Sequence, residues 1–505
     1  MYDIVFCSIP YSSLDHIYSA PAILKGVVQN HGFRAKTIEF GCELLELCDN
    51  NSDFFYQVQN YFITAGKCNR EDENQIIDKF YNKVVEFLVA NPAKYIGISV
   101  FSVYTHKATV EILHRLKKEN IQSKIVIGGR GANIPIFKEV ISNEFSPELT
   151  KTEKFITFGE LLKKRNLADI VIMGDGEDAI VDLLENKPFS ESNFNNSDMF
   201  KSPTPDYQDY NFDNYLFPDG LVNLPVTGSK GCVRDCDFCD VKFAFGRYRY
   251  RNGKDIANEI IELSNQYGIY KFQFTDSLVN GALKVFREFV EILSDYNNNN
   301  PDKKIKWNGQ YICRPPEQMP QDLYKLMSES GAEGLTIGAE SGSNHVLLAM
   351  NKKTTVDALY YELEQFRKHQ ITCTLLTFTG HWSETWEDYL QHCKMFVHIT
   401  PYVRSGTISS IFLGYPMAML DGIPARENAE KNGIILSDFA PKFIWRVTGN
   451  PENTFKERVY RRLLLVKLLQ KLKIPTIFNL ETLSMVTKLI DNHEQEINQF
   501  YEISN

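Results

Sequence analysis

Three cysteines in one short, glycine-bounded loop constrain this chain more than any other feature. The stretch Gly228-Ser-Lys-Gly-Cys-Val-Arg-Asp-Cys-Asp-Phe-Cys-Asp240 sets Cys232, Cys236 and Cys239 at C-x3-C-x2-C spacing, directly after a strand-like run from Leu221 to Thr227. Sulfurs this close suit an iron–sulfur cluster, and a cubane held by three protein ligands leaves one iron open to a substrate or cofactor. A closed structural zinc site wants four ligands, usually as two separated pairs. No second C-x2-C and no nearby histidine completes one here. A three-cysteine zinc site or a purely structural one remains the alternative. Phe238, just before the third cysteine, would lid a cluster with apolar surface.

The chain has 505 residues, too many for one ordinary core, and two or three domains are expected. Its hydrophobic share of 43% and charged share of 24% are those of a soluble globular protein. No apolar run approaches the roughly 18 residues that a membrane span needs. Met1-Tyr-Asp-Ile-Val-Phe starts a strand rather than a signal peptide, so a cytoplasmic location is expected. The other cysteines (Cys7, Cys42, Cys48, Cys68, Cys313, Cys373, Cys393) lack disulfide-framework spacing and read as small buried hydrophobes in a reducing compartment. A net charge of −9 argues against non-specific nucleic-acid binding.

Apolar runs at residues 2–8, 34–39, 95–100, 124–129 and 168–174 alternate with helical patterns at 21–31, 107–119 and 177–184. Between them, residues 42–90 predict two or three further helices. Strands that are apolar throughout, alternating with helices, indicate a doubly wound parallel sheet. Ligands of such sheets sit beyond the carboxyl ends of the strands. Those ends carry Ile9-Pro10, Ser99 to Tyr104, Gly128-Gly129-Arg130-Gly131 and Gly174-Asp175-Gly176-Glu177. Glycines there permit close backbone approach to a flat or phosphorylated ligand, or simply turn the chain.

Residues 186–220 read as a linker rich in Asn, Ser, Asp and Pro. Further strand and helix units follow, with strands near 222–227, 271–275, 306–312, 334–338, 372–378 and 406–413 and helices near 255–266, 284–295, 321–330, 355–369 and 384–397. Beyond residue 426 the pattern is mainly helical. Residues 454–473 form a basic amphipathic helix that either caps a domain with its apolar face inward or binds an anion or membrane surface. The tail from 481 reads as one more helix.

The cysteine loop resembles the signature of the radical S-adenosylmethionine (SAM) enzymes. Gly-Ile-Ser, Ile-Val-Ile-Gly-Gly and Met-Gly-Asp-Gly-Glu in the first 185 residues resemble the cobalamin-binding domain that precedes one large class of them. The resemblance implies a Rossmann-like cobalamin-binding domain at 1–185, a partial (β/α)6 radical SAM barrel at 221–425 and a helical region at 426–505. Cobalamin would meet Ser99, Gly128, Gly129, Gly174 and Glu177, and a bulky residue at Gly129 would block it. The histidine-ligating Asp-x-His-x-x-Gly loop of the other branch is absent, since His16 in Leu14-Asp15-His16-Ile17 lacks the spacing.

In the barrel, Cys232, Cys236 and Cys239 would hold a [4Fe-4S] cluster whose open iron SAM chelates. Asp276, ending the second strand, would accept from the SAM ammonium, and Arg314 would meet a carboxylate. Leu335-Thr-Ile-Gly-Ala-Glu-Ser-Gly342 resembles the fourth-strand motif and places Gly338, Glu340 and Ser341 at the cofactor, with Glu340 on the ribose hydroxyls. Each carboxylate has a blander reading as a cap or solvated charge. One departure is visible: Gly380-His-Trp-Ser-Glu-Thr385 stands where the family has Gly-x-Pro-Gly-Glu-Thr, so His381 and Trp382 shape a pocket or merely pack. An aromatic rim of Phe238, Phe243, Phe274, Trp307 and Trp382 is expected to keep water out.

The implied chemistry is one-electron cleavage of SAM to methionine and a 5′-deoxyadenosyl radical, with flavodoxin or ferredoxin as donor. Methyl transfer to an unactivated carbon of a small-molecule, lipid or peptide substrate is the leading outcome. Rearrangement, oxidation or cyclisation without methyl transfer comes second, and a non-catalytic cluster- or zinc-binding protein third.

Overall fold

The computed structural model of the chain describes residues 1–10, 13–63, 71–134, 156–189, 191–193, 203–478 and 494–502. Two compact units divide it, Met1–Pro225 and Val226–Asn505.

The first unit is built on a five-stranded sheet: β1 (Tyr2–Ser8), β2 (Ala35–Glu39), β3 (Ala93–Ser99), β4 (Lys124–Gly128) and β5 (Ile170–Val171), in the order β2-β1-β3-β4-β5. Every neighbouring pair is parallel, with Ile4 opposite Ala35 on one side and Tyr95 on the other. Both faces are covered, which is why these strands are apolar along their length. Ile4, Phe6, Val27, Val28, Tyr95, Val126 and Ile180 share one core cluster, in which the helix Ala20–Asn30 packs on the sheet. Three helices, Phe40–Leu47, Ser52–Ile63 and Glu71–Ala90, fill the stretch between β2 and β3. The strand order turns back between β1 and β3, so the crevice of this sheet opens beside Ile9 and Val100.

The described part of the stretch read as a linker packs on this unit. Lys25 is buried and pairs with Asp206 at 3.3 Å and Asp209 at 2.7 Å, and the Leu216 N–H donates to the Leu14 carbonyl at 2.7 Å. Gly26 has no room for a side chain, since a Cβ would lie 2.5 Å from the Thr204 carbonyl oxygen.

The second unit carries the strands Lys271–Phe274, Lys306–Asn308, Gln310–Tyr311, Leu335–Glu340, Cys373–Thr377 and Ile408–Leu413, with Leu224–Val226 running in at its start. Helices Gly253–Tyr267, Leu283–Asn299, Gln321–Glu329, Val356–Lys368 and Trp386–Arg404 alternate with them. The third strand is split at Gly309. Its first half pairs with Lys271–Gln273 and its second with Thr336–Ile337, which joins a three-stranded sheet to a five-stranded one. A Cβ at Gly309 would lie 2.7 Å from Val279 Cγ1 and 2.9 Å from Phe274 Cβ.

The C-terminal region is helical at Phe455–Lys471 and Glu494–Glu502, while residues 481–493 of the predicted last helix lie outside the described residues. It also supplies three short strands that the sequence did not announce. Ile434–Leu436 and Trp445–Val447 form an antiparallel pair, and Thr476–Phe478 adds a further parallel strand beside Ile408–Leu413. The helix at 455–471 turns its arginines inward: Arg458, Arg461 and Arg462 are buried while Tyr460 and Leu463 are exposed. Phe455, Leu465 and Leu469 are buried as well, so the helix packs apolar residues inward as expected of a cap, and the arginines buried among them are taken up by protein partners.

Candidate cofactor site of the second unit

The cysteine loop leaves the end of the first barrel strand and is anchored at its root by Asp276. That carboxylate accepts from the Gly228 N–H at 2.8 Å and the Ser229 hydroxyl at 2.6 Å, and burial raises its pKa to about 7. Asp276 thus serves the loop directly, a role the sequence reading did not assign. Cys236 is buried, Cys232 and Cys239 are half-buried, and all three are free thiols. Burial pushes the Cys236 thiol up to about 12 and also raises Cys239.

The Lys352 ammonium is within electrostatic reach of Cys236 and Cys239. Burial opposes its charge, but Glu340 and the thiols Cys236 and Cys239 outweigh that and hold its pKa above the ordinary value. Lys352 Nζ donates to Glu340 Oε1 at 2.6 Å and stands 5.7 Å from the Phe238 ring centroid. Glu340 ends its strand at φ +57°, a left-handed conformation rare for a residue with a side chain, and that turn folds its carboxylate back over Gly338. A Cβ at Gly338 would meet Glu340 Oε1 at 2.2 Å and Lys352 Nζ at 2.6 Å, which is why that position is glycine. Ser341 is buried and its hydroxyl accepts from the Ser343 N–H at 3.2 Å.

Arg314 is fixed by its Nη2, which donates at 2.8 Å to both the Asn280 and Gly281 carbonyls. Burial and the charge of Arg234, which lies between the first two cysteines, hold its pKa below the usual arginine value. Arg314 Nε and Arg234 Nη2 are buried donors without a hydrogen-bond partner. Orphaned guanidinium N–H groups on two neighbouring cations suit an oxyanion, because a carboxylate satisfies both donors and offsets the repulsion.

The side chains of the loop after the fifth strand reach the cysteine loop. Trp382 Nε1 donates to Asp237 Oδ2 at 2.6 Å, and His381 Nε2 lies 3.1 Å from both Asp237 oxygens. Sequence reasoning missed Lys352, Arg234 and Asp237. Only the first two carried a signal, as cations beside the motifs. The expected aromatic rim needs correction: Phe274 and Trp307 pack against Phe286 and Phe289 of the helix Leu283–Asn299, and Phe274 reaches only the root of the loop, where a Cβ at Gly228 would lie 3.2 Å from its ring. Phe243 is 67% exposed, while Phe238 meets Phe378 edge-on at 5.1 Å. Of the scattered cysteines, Cys7, Cys42, Cys48, Cys313 and Cys373 are buried and Cys393 half-buried, and Cys68 lies outside the described residues.

These residues fit a cubane better than a single ion. Each thiolate of a cubane takes its own iron, whereas four-coordinate zinc draws its ligands together at about 2.3 Å from sulfur to metal. Among the described residues no three His, Cys, Asp or Glu side chains converge on one ion. Bound iron deprotonates a coordinating thiol, and the Lys352 ammonium favours the charge that results.

In the first unit, Ser99 and Gly128 end β3 and β4, Gly174 ends a short strand at φ +92°, and Glu177 opens the helix to Leu184. Phe101, Val103 and Tyr104, just past β3, are exposed. Gly129 has another reason to be glycine than the one expected. Its φ is +93° and a Cβ would lie 2.6 Å from the Val100 carbonyl oxygen, so the chain itself excludes a side chain there. At Gly128 a Cβ would meet only the Ile172 oxygen at 3.7 Å.

Comparison with known proteins agrees with this geometry. Residues 226–396 match the radical SAM superfamily model. The chain is 27% identical over 222 residues to the anaerobic magnesium-protoporphyrin IX monomethyl ester cyclase of Cereibacter sphaeroides, covering 39% of this chain and 36% of the relative. It is 29% identical over 164 residues to the cytidylyl-2-hydroxyethylphosphonate methyltransferase of Streptomyces wedmorensis, covering 30% and 28%. It thus spans about a third of these curated relatives. Among solved structures, the methyltransferase TsrM of Kitasatospora setae, with cobalamin and a [4Fe-4S] cluster bound, aligns with TM-score 0.56 at 12% identity over 88% of this chain and 83% of that one. The cobalamin-dependent radical enzyme OxsB with aqua-cobalamin bound aligns with TM-score 0.56 at 13% identity over 84% and 54%. The fold is therefore similar to that of these two cobalamin-dependent radical SAM enzymes, and the part of the chain that matches the radical SAM superfamily is residues 226–396, which carry the cysteine loop.

Proposed function

We propose that the chain is a cobalamin-dependent radical SAM methyltransferase acting on an unactivated carbon of a small-molecule, lipid or peptide substrate. The observation that carries the reading is the set of cations gathered on the cysteine loop, Lys352 beside Cys236 and Cys239 and the orphaned donors of Arg234 and Arg314. Cys232, Cys236 and Cys239 would hold the cluster, which when reduced supplies the electron that cleaves SAM. Arg314, with Arg234, binds a carboxylate of the cofactor through the unpaired N–H groups. Glu340 accepts from the ribose hydroxyls, because one carboxylate oxygen is engaged by Lys352 and the other has capacity left. Phe238 and Phe378 exclude water on the side of the third cysteine.

For the first unit, the exposed Phe101, Val103 and Tyr104 beside the switch between β1 and β3 support an apolar bed for a corrin, which would supply the methyl group. Ser99, Gly128, Gly174 and Glu177 flank it. An electron donor such as flavodoxin or ferredoxin is needed. No helix among the described residues is long and apolar enough to cross a membrane, and a cytoplasmic location is part of the proposal. Cyclisation without methyl transfer is the second reading, supported by the cyclase relative.

The test begins with protein purified without oxygen and supplied with cobalamin. The triple Cys232→Ala, Cys236→Ala, Cys239→Ala variant should fold and hold no iron; unchanged iron, or zinc in its place, refutes the site. With a substrate in hand, S-adenosylhomocysteine and 5′-deoxyadenosine should form in a ratio near one. Deoxyadenosine alone, with a product of unchanged carbon count, moves the assignment to cyclisation.

A further inference from the structure

Asp237 sits inside the cysteine loop, between Cys236 and Cys239, and its neighbours come from far along the chain. Its backbone N–H donates to the Met350 carbonyl at 3.0 Å, and its carbonyl accepts from the Ala425 N–H at 2.8 Å. The carboxylate takes the Trp382 indole N–H at 2.6 Å and the His381 ring at 3.1 Å. The direction of the histidine bond follows from its other nitrogen. Nδ1 receives the Ser383 backbone N–H at 3.3 Å, so it is an acceptor, and Nε2 carries the proton that points at Asp237. The His381 side chain is fully buried and that of Asp237 nearly so.

The donors are themselves held. Asn453 Nδ2 binds the His381 carbonyl at 2.8 Å and the Trp382 carbonyl at 3.3 Å. Arg461 grips Glu384 of the same loop at 3.1 Å, and the Arg458 methylenes crowd Gly380. Trp382, which stands where the family has Pro, and its neighbour His381 thus form a clamp on the cysteine loop. A Pro has no side-chain donor to offer in place of the indole.

We propose that Trp382 and His381 are positioning residues for the cluster, and that through them the Asp237 carboxylate sets the cluster's reduction potential. This rests on the cluster reading given above. A fixed negative charge in a poorly solvated loop makes electron addition harder, and the two N–H dipoles aimed at it offset part of that charge. The clamp therefore acts in opposition to the carboxylate it holds. Asp237→Asn removes the charge and should move the potential to less negative values. Trp382→Phe leaves an aromatic ring but removes the donor, and should move it to more negative values.

The experiment uses the full chain, reconstituted without oxygen, with iron content measured and the reduced cluster titrated by electron paramagnetic resonance. The proposal expects shifts of opposite sign in Asp237→Asn and Trp382→Phe, with the Trp382→Phe shift much reduced in the Asp237→Asn background. Loss of iron from Trp382→Phe at an unchanged urea midpoint also supports it, since the clamp then positions the cysteines. Shifts of the same sign, no shift, or a Trp382→Phe effect independent of Asp237 overturns it. Wild-type chain without a cluster would refute the cluster reading itself; a normal wild-type cluster with indifferent variants refutes the clamp alone.

Discussion

Gly380→Ala is expected to be among the costliest single-methyl additions in the second unit. Gly380 has φ +76°, and a Cβ there would meet Arg458 Cδ at 2.5 Å, Cγ at 2.6 Å and Cβ at 2.9 Å. A long side chain often moves aside. Arg458 has nowhere to go, because its guanidinium stacks 3.5 Å from the Trp445 ring centroid and donates to the Asn453 carbonyl at 2.8 Å and to the Phe443 and Trp445 carbonyls at 3.2 Å. Left-handed backbone costs roughly 1 kcal/mol for alanine, and overpacking a full site about 1–3 kcal/mol more. Gly406→Ala separates the two, since Gly406 has φ +79° but nothing within 4 Å of its Cβ, and should cost only the first of them. The assay is urea unfolding followed by tryptophan fluorescence. Trp307, Trp382, Trp386 and Trp445 are the only tryptophans of the chain, and all lie in the second unit, so the signal reports that unit. If Gly380→Ala unfolds at the same urea concentration as Gly406→Ala, the packing argument is wrong.

Three further outcomes follow from the geometry. In the first unit, Gly129→Ala should lower the melting temperature while Gly128→Ala does not, so corrin binding lost in Gly128→Ala at unchanged melting would mark the cradle itself. Burial raises the Asp276 pKa to about 7, so the folded chain holds that proton more tightly than the unfolded one and its stability falls as pH rises from about 4 to 7; Asp276→Asn should flatten that slope by on the order of a few kcal/mol, read from urea midpoints at pH 5 and 8. Arg461→Met strands Glu384, whose pKa burial already raises to about 7, and should cost about 3–5 kcal/mol at pH 8 and clearly less at pH 5, where Glu384 takes up a proton; a pH-independent loss on calorimetry would contradict the ion-pair account.

Much of the scaffold is legible before any coordinates are drawn. Parallel strands buried on both faces must be apolar throughout, so β1, β3 and β4 stand out in the sequence, as do the cysteine loop and the strand carrying Gly338 and Glu340. What stays hidden depends on partners distant in the chain. Arg458, Arg461 and Arg462 read as solvated charges by residue type, because nothing local shows that Trp445, Glu384 and the Leu413–Gly414 carbonyls wait for them. Trp307 and Phe274 are aromatic residues of barrel strands, and which face they take is decided by Phe286 and Phe289 on the neighbouring helix. Asp237 reads as an ordinary loop aspartate until His381 and Trp382 arrive from a loop that begins over a hundred residues later.

The strand Thr476–Phe478 has a bearing on how the chain comes off the ribosome. Ile408–Leu413 pairs with Cys373–Thr377 on one side and with this late strand on the other. Until residue 478 has emerged, the outer edge of Ile408–Leu413 exposes unpaired backbone groups and an apolar strand for the several seconds that synthesis of the intervening stretch takes, at roughly 5–20 residues per second. An open edge of that kind recruits other strands. Nascent chains stalled between residues 413 and 476 should therefore depend on holding chaperones far more than those released after 478, and slowing translation across that interval should lower the soluble yield.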